Sequence, residues 1–516
     1  MSDRAGLPRP WTEVRLEDVA HLQLGKMLDK ARPKGSPHRY LRNINVRWDA
    51  VDTTDVLSMA FEDAELERFS IRDGDLLVCE GGEPGRAAVW KYGSTDLRFQ
   101  KALHRVRFFG AISGRWAMYQ LMLDASTGRL ARAFTGSTIA HLPREKLAEY
   151  QLRIAPGAEQ ERIIDAVDSY VSRLDATVAT LEAAQIKLNA YRASVLKAAV
   201  EGRLVPTEAA LARAEKRHFE PADVLLKRIL SERRLRWEET ALAKLKAAGK
   251  SPRDDKWKAK YEEPKAPDTK VLPELPAGWC WTSVNVVADV KGGVTKGQRR
   301  GRDQELVEVP YLRVANVQRG YLDLTEVKTI AATPAEVEEL RLEAGDVLFN
   351  EGGDRDKLGR GWVWGGEIPT CIHQNHVFRA RIVCPDLRPR FLSWYGNSSG
   401  QRYFFDEGKQ TTNLASINMT KLKALPVPLP PRAEQDRIAE EVERLLSIAD
   451  EINVGVAQDI RRCQRLRQAI LKWAFEGKLV DQDPNDEPAE KLLERIRAEC
   501  GNVEIPKKTR RARNAQ

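Results

Sequence analysis

The sequence predicts an α+β chain: two α/β domains separated by long antiparallel coiled-coil helices, arranged as an internal pseudo-two-fold repeat. Three observations carry this. The second half of the 516-residue chain rewrites the first. Each half opens with short β-type runs broken by glycine turns. Each then enters a stretch whose apolar residues follow the three-four spacing of a helical seam.

The repeat is read from matched segments. Trp11, Thr12 and Val14 return as Trp281, Thr282 and Val284, an offset of 270. YLR at Tyr40 returns at Tyr311, and DLLVCEGG from Asp75 returns as DVLFNEGG from Asp346, both at 271. RAAVW from Arg86 matches RGWVW from Arg360 at 274, while AEQERI at Ala158 matches AEQDRI at Ala433 and EGRLV at Glu201 matches EGKLV at Glu476 at 275. Offsets that drift in one direction mean duplication with small loop insertions.

Five segments follow: an α/β domain over 1–156, a central helical region with linker over 157–275, a second α/β domain over 276–430, a helical region over 431–500 and a basic tail over 501–516. The length suits more than one core. In the first helical region the seam runs through Ile163, Val167, Val171, Leu174, Val178, Leu181, Leu188 and Val195. In the second it runs through Ile438, Val442, Leu445, Ala449, Ile452, Val456, Cys463, Leu466 and Ile470, with polar Asp459 as the one break. Gly202 and Gly477 stand where left-handed caps would end these helices. A rod of about forty residues, on the order of 60 Å, cannot bury its stripe alone, and the matching stripe of the other copy is the simplest partner. Residues 250–276 read as a linker.

Composition bounds the function. Hydrophobic residues at 42% and charged residues at 31% fit a folded protein with much exposed helix. No run is long and apolar enough for a membrane span, and the N-terminus lacks the apolar core of a signal peptide, so a cytoplasmic location and no membrane partner are expected. Six scattered cysteines form no CxxC pair and read as reduced filler. The net charge of +9 is compatible with a polyanionic partner and equally with solvated helix faces.

Catalytic motifs are missing from the sequence. There is no GxxxxGK[ST] for ATP, no NPPY- or DPPY-like turn for a methyltransferase, and no HExxH or similar spacing among seven histidines. Asp483-Pro484-Asn485 lacks the aromatic that would stack a flipped base. No catalytic residue and no metal ligand is therefore assigned. Glu80-Gly81-Gly82 and Glu351-Gly352-Gly353 follow strand-like runs and read as structural or base-reading turns, since no acid-base partner is visible in sequence.

What the α/β domains offer is loops rich in groups that grip phosphates and read base edges. The first copy supplies Lys26, Lys30, Arg32, Lys34 and Arg39; the second supplies Thr295, Lys296, Gln298, Arg299, Arg300 and Arg302. Later loops add Ser137 and Thr138 in one copy and Gln374, Asn375, Lys409, Gln410, Thr411, Thr412 and Asn413 in the other. Any one of these also suits an ordinary solvated turn. A basic loop in the same place with unlike residues is what two readers of different DNA words would need.

With these segments in hand, the chain resembles the specificity subunits of type I restriction-modification systems. The carriers are LGKMLDKARPKG followed by YLRNINV, GSTIAHLPREKL and QTTNLASINMTKL running into PxxAEQxRI, the pair LKAAVEGRLV and LKWAFEGKLV, and LPELPAGWCWTSV. The resemblance implies a non-enzymatic subunit with two target recognition domains, each reading one half of a split, asymmetric site in double-stranded DNA. It implies that paired helices set the unread gap and dock two methyltransferase subunits, with restriction/translocase subunits completing the complex. It implies no cofactor on this chain: S-adenosylmethionine, ATP and Mg are expected on the partners. The charged insert between Thr207 and Lys270 departs from a single paired rod. The alternatives are a coiled-coil scaffold, a standalone DNA-binding protein without a restriction partner, and a self-sufficient nuclease.

Overall fold

The computed structural model describes residues 7–29, 34–136, 138–250, 252, 254–297, 304–353, 357–410 and 415–501, with 410 and 500 described by backbone alone. The fold is α+β, and the chain divides into two compact units. One comprises Met1–Ala183 with Val456–Gln516, the other Ala184–Gly455. Each therefore contains one α/β domain, the near part of its own long helix and the far part of the other.

The four-stranded and three-stranded sheets of the two α/β domains repeat strand for strand. In the first, Ala20–Leu24, Leu103–Phe108, Leu76–Cys79 and Ala87–Val89 form an antiparallel sheet in that order. In the second, Ala288–Lys291, Val377–Ile382, Val347–Asn350 and Gly361–Val363 do the same. A three-stranded mixed sheet stands beside each: Leu57–Phe61, Ser36–Leu41 and Arg98–Phe99, then Lys328–Ala332, Val307–Leu312 and Ile372–His373. The apolar runs LLVC and VLFN are buried at every position because their strands are covered on both faces. The aspartate ahead of each run is 1% exposed and takes two hydrogen bonds from one arginine: Asp75 from Arg107 at 2.7 and 2.7 Å, Asp346 from Arg381 at 2.8 and 2.8 Å. A buried carboxylate needs such a fork-on-fork partner.

The opening segments align differently from the sequence match. Thr12 pairs with Ile154 and Cys280 with Leu429, so Trp11 corresponds to Trp279 and the Trp-Thr recurrence at Trp281 lies two residues out of register. The indole N–H groups agree: Trp11 Nε1 donates to Glu159 at 3.0 Å and Trp279 Nε1 to Glu434 at 2.9 Å. A shift of two residues preserves the side-chain alternation of a strand, so the pattern alone does not distinguish the two registers. With the offset starting at 268, three residues separate this segment from the Tyr40 match, so the basic loop between them carries the first insertion.

The long helices run Gly157–Val200 and Arg432–Phe475, 44 residues and about 66 Å each. Both end in left-handed glycines, Gly202 at φ +66° and Gly477 at φ +65°. Arg203 N–H donates to Ala198 O and Lys478 N–H to Trp473 O, both at 2.8 Å, closing the double hydrogen-bonded cap. Within the first unit Ile163, Ile164 and Val167 share a core with Leu471, Ala474 and Phe475, and Asp175 pairs with Arg467 further along. Within the second, Val195, Ala199 and Val200 share a core with Ile438 and Val442, and Arg192 meets Asp450 at 2.5 Å. In each unit the two segments run antiparallel.

The second seam departs from its sequence reading at three places. Ile452 is 51% and Leu466 43% exposed, and Asp459 breaks nothing because the half-buried position is Ile460. After Ala449 the buried positions are Val456 and Cys463, an interval of seven, which a run of apolar letters cannot distinguish from its neighbours.

The AEQ motif is the joint between domain and helix. Gln160 donates to Ala155 O at 2.8 Å and Gln435 to Pro430 O at 3.1 Å, satisfying carbonyls just before each helix. Arginines from the domain helices Gly114–Ser126 and Pro389–Asn397 then brace the long helices, Arg115 on Asp168 at 2.6 Å and Arg390 on Glu443 at 2.5 Å. The charged insert forms a helix, Ala222–Ala247, rooted by buried Ala222, Leu225 and Ile229. The stretch read as linker folds back on it: Trp257 stacks on Trp237 at 6.1 Å and Tyr261 packs beside that ring at 5.4 Å.

Burial holds the Glu159 and Glu434 carboxyls above the ordinary glutamate range. A carboxyl that binds its proton more tightly folded than unfolded makes stability fall as pH rises from the ordinary value, near about 4.3, through the raised one. Glu434→Gln is expected to flatten that slope in urea unfolding midpoints measured across this window. It is also expected to lower the midpoint at its acid end, where its amide group confronts the Glu208 N–H that the carboxylate accepts at 2.8 Å.

Candidate nucleic-acid interface

Each Glu-Gly-Gly turn sits where loops distant in sequence converge. In the first domain, Glu80 N–H donates to Ala102 O at 2.9 Å and Leu142 N–H donates to Glu80 O at 2.8 Å, bringing the late polar loop against the turn. Gly81 bridges His141, and Asn43 Nδ2 donates to Gly81 O at 3.1 Å. The glycines are required: Gly82 has φ +82°, and a Cβ there would stand 2.4 Å from Asn43 Nδ2. The second domain builds the same turn with Glu351 N–H on His376 O at 3.0 Å and Ile417 N–H on Glu351 O at 2.9 Å. There Gly352 and Gly353 pair with Ser416 and Ala415, which pair in turn with Lys409 and Gln410.

The floor beneath is a buried asparagine in each copy, the last Asn of YLRNIN and of YLRVAN. Asn45 donates to Asp52 O and Asp55 O at 2.9 and 2.8 Å, and Asn316 to Asp323 O and Glu326 O at 2.9 and 2.9 Å. Their side-chain oxygens accept from Arg42 N–H at 2.8 Å and Arg313 N–H at 2.9 Å. Every polar group of the amide is used, so this is framework rather than a reader.

The sequence-selected residues distribute unevenly over this surface. Lys34, Arg39, Thr138, Thr295, Lys296 and Lys409 are exposed, and Gln374 and Asn375 are half-buried beside the second turn. Lys26 is 19% exposed, its ammonium paired with Glu65 and lying 5.0 Å from the Phe61 ring centre. Its backbone bridges Gln100 as Val294 bridges Gln374, so the second copy fills the same slot with a buried valine. Lys30, Arg32, Ser137, Gln298, Arg299, Arg300, Arg302, Thr411, Thr412 and Asn413 lie outside the described residues, and for Gln410 only the backbone strand position is described.

Sequence reasoning passed over several residues here. Met27 and Ile139 are each 63% exposed on the first domain's loops, apolar tips of the kind that meet a thymine methyl. His141 and His376 reach the turn carboxylates, His141 Nδ1 at 3.2 Å from Glu80 and His376 Nδ1 at 2.5 Å from Glu351. Nothing in the one-dimensional pattern pairs a histidine with a glutamate 61 or 25 residues away.

Burial pushes the thiols of Cys79 and Cys280 up to about 11 and that of Cys371 to about 12, far from a reactive thiolate. His373 is lowered to about 4 by burial and donates through Nδ1 to Val377 O at 2.6 Å. Among the described residues no three His, Cys, Asp or Glu side chains gather as a metal site, and no helix is long and apolar enough to cross a membrane.

Each unit thus carries the same frame under loops of unlike sequence. The comparisons place that repeat among known proteins. The chain is 24% identical over 523 residues to the type I restriction enzyme EcoKI specificity subunit of Escherichia coli strain K12, covering 96% of each. It is 24% identical over 520 residues to the StySPI specificity subunit of Salmonella potsdam, covering 96% of this chain and 97% of that one. A chain solved in work on complex assembly and conformational transition of the type I R-M system shares the fold, with a TM-score of 0.61 at 16% identity over 92% of this chain and 99% of that one. No family model matches. The resemblance to type I restriction-modification specificity subunits is thus shown end to end by the curated relatives.

Lys26→Val, the residue type of the matching slot, is expected to cost about 1 kcal/mol through removal of the ion pair and the ring interaction. A thermal unfolding scan beside the native chain measures it.

Proposed function

We infer that this chain is the DNA sequence-recognition subunit of a type I restriction-modification complex and performs no chemistry itself. Each α/β domain reads one half of a bipartite, asymmetric site. The long helices act as a coiled-coil spacer between the two readings and as the dock for two methyltransferase subunits. Restriction/translocase subunits complete the assembly. S-adenosylmethionine, ATP and Mg belong to those partners, and the complex works on DNA in the cytoplasm.

The single observation that carries the reading is end-to-end similarity to specificity subunits in a chain whose two copies keep one frame and change the loops. Sequence information in DNA lies in base edges, while phosphate contacts are common to every sequence. A protein built to read two words needs one scaffold twice and two sets of tips. The exposed Lys34 and Arg39 fit phosphate contacts, and the polar groups around the Glu-Gly-Gly turns fit base edges.

Replacing the first α/β domain by that of a relative with a different target, then mapping methylated adenines across the genome, is expected to change one half of the motif and leave the other half and the gap intact. A motif unchanged after the exchange, or after deletion of the gene, overturns the reading. Lys34→Ala and Arg39→Ala are expected to weaken binding of the assembled complex alike on specific and unrelated DNA. For every phosphate that a variant no longer neutralises, the slope of log affinity against log salt should become shallower by about 0.9.

A further inference from the structure

Two histidines meet equivalent glutamates of the two domains from different flanking segments. The turn carboxylate is flanked by an earlier segment, at Ala102 and the matching His376, and by a later one, at His141 and the matching Ser416. In the first domain the histidine arrives from the later flank, in the second from the earlier. Each glutamate nevertheless holds one imidazole through Nδ1, at 3.2 Å on Glu80 and 2.5 Å on Glu351. A structural tether would have no reason to change flank between copies of one frame. A reader of different base positions would.

A carboxylate can only accept, so in its neutral form the ring it holds carries its proton on Nδ1 and leaves Nε2 a bare acceptor. Neither Nε2 has a hydrogen-bond partner among the described residues, and the side chains are 44% and 54% exposed. By contrast His104 and His373 are buried and bound to backbone carbonyls. Phosphate offers a bare acceptor nothing to bind. The donors that duplex DNA presents in the major groove are the exocyclic amines, N6 of adenine and N4 of cytosine.

We propose that His141 and His376 are base-reading residues, each accepting a hydrogen bond from an adenine or cytosine amine in its own half-site, with Glu80 and Glu351 as positioning residues that set the tautomer. The assignment rests on the DNA-recognition reading above. The two histidines, coming from different flanks, address different positions within their half-sites.

The test uses the assembled complex in cells, with assembly checked by co-purification and methylated adenines mapped genome-wide. His141→Ala is expected to relax discrimination roughly 5- to 150-fold at one base pair of one half-site, and His376→Ala at one base pair of the other. Glu80→Gln supplies an amide that can donate to Nδ1 and move the ring proton to Nε2. It is expected to shift preference at the His141 position toward guanine or thymine, which a merely structural role would not do. His141→Asn keeps an acceptor of similar reach and is expected to retain part of the discrimination. An unchanged motif in both alanine variants overturns the assignment while leaving the recognition reading intact, as does a uniform loss of methylation with no change of preference. Failure of the native complex to methylate any bipartite motif overturns both.

Discussion

One interaction carries the construction of each unit: an indole N–H donated to a buried glutamate in the first turn of a long helix, Trp11 on Glu159 and Trp279 on Glu434. The glutamate is taken out of water at a cost, and that cost is offset only when its oxygens meet donors, which the domain's entry segment and a neighbouring segment supply. Glu434 takes its second hydrogen bond from Glu208 N–H at 2.8 Å. The interaction therefore ties three elements together at one point: the first strand of the domain, the start of the long helix and the helical segment beside it. Around it the rings pack, Trp11 edge-on to Trp116 at 5.5 Å and Trp116 against Phe475 at 4.7 Å.

From that joint the rest of each unit follows. A 44-residue helix has one face to bury and a direction set at its first turn. Within each unit a segment of the other long helix packs on part of that face, the arginine braces at Asp168 and Glu443 hold the domain helix against it, and the glycine cap ends it against a proline, Pro276 beside Gly202 and Pro8 beside Gly477. The same rigidity that orients the helix orients the domain's loops. The strand that leads out of the joint, Thr12–Arg15, reaches the four-stranded sheet at Ala20 after the single helical turn Leu16–Val19, and that sheet carries the Glu-Gly-Gly turn. Recognition by hydrogen bonds tolerates little positional error, so a stiff frame beneath variable tips is the physical requirement for reading sequence.

The frame was legible in the sequence because duplication prints the same constraint twice. Glycine at a left-handed cap, aspartate under an arginine fork and glutamine closing a helix entry are each a letter that few others replace. The repeat offsets, the two long helices and the strand runs could be read directly. The register of the first strand could not: a match two residues out preserves alternation, and it takes the strand pairing and the indole hydrogen bonds to separate Trp279 from Trp281. The exposed Ile452 and Leu466 escaped for a related reason, since a seam on a straight helix drifts and an apolar letter does not say which way it faces.

The sequence by itself determined the duplicated α+β plan, the ends of the helices and the places of the polar and basic loops, because those depend on local backbone geometry and on periodicity along the chain. Only the tertiary structure decided which side chains of those loops are spent within the fold, as Lys26 is on Glu65, and which face outward, as His141 and His376 do on their glutamates. That division depends on contacts between segments tens of residues apart, and a linear pattern carries no record of distance in space.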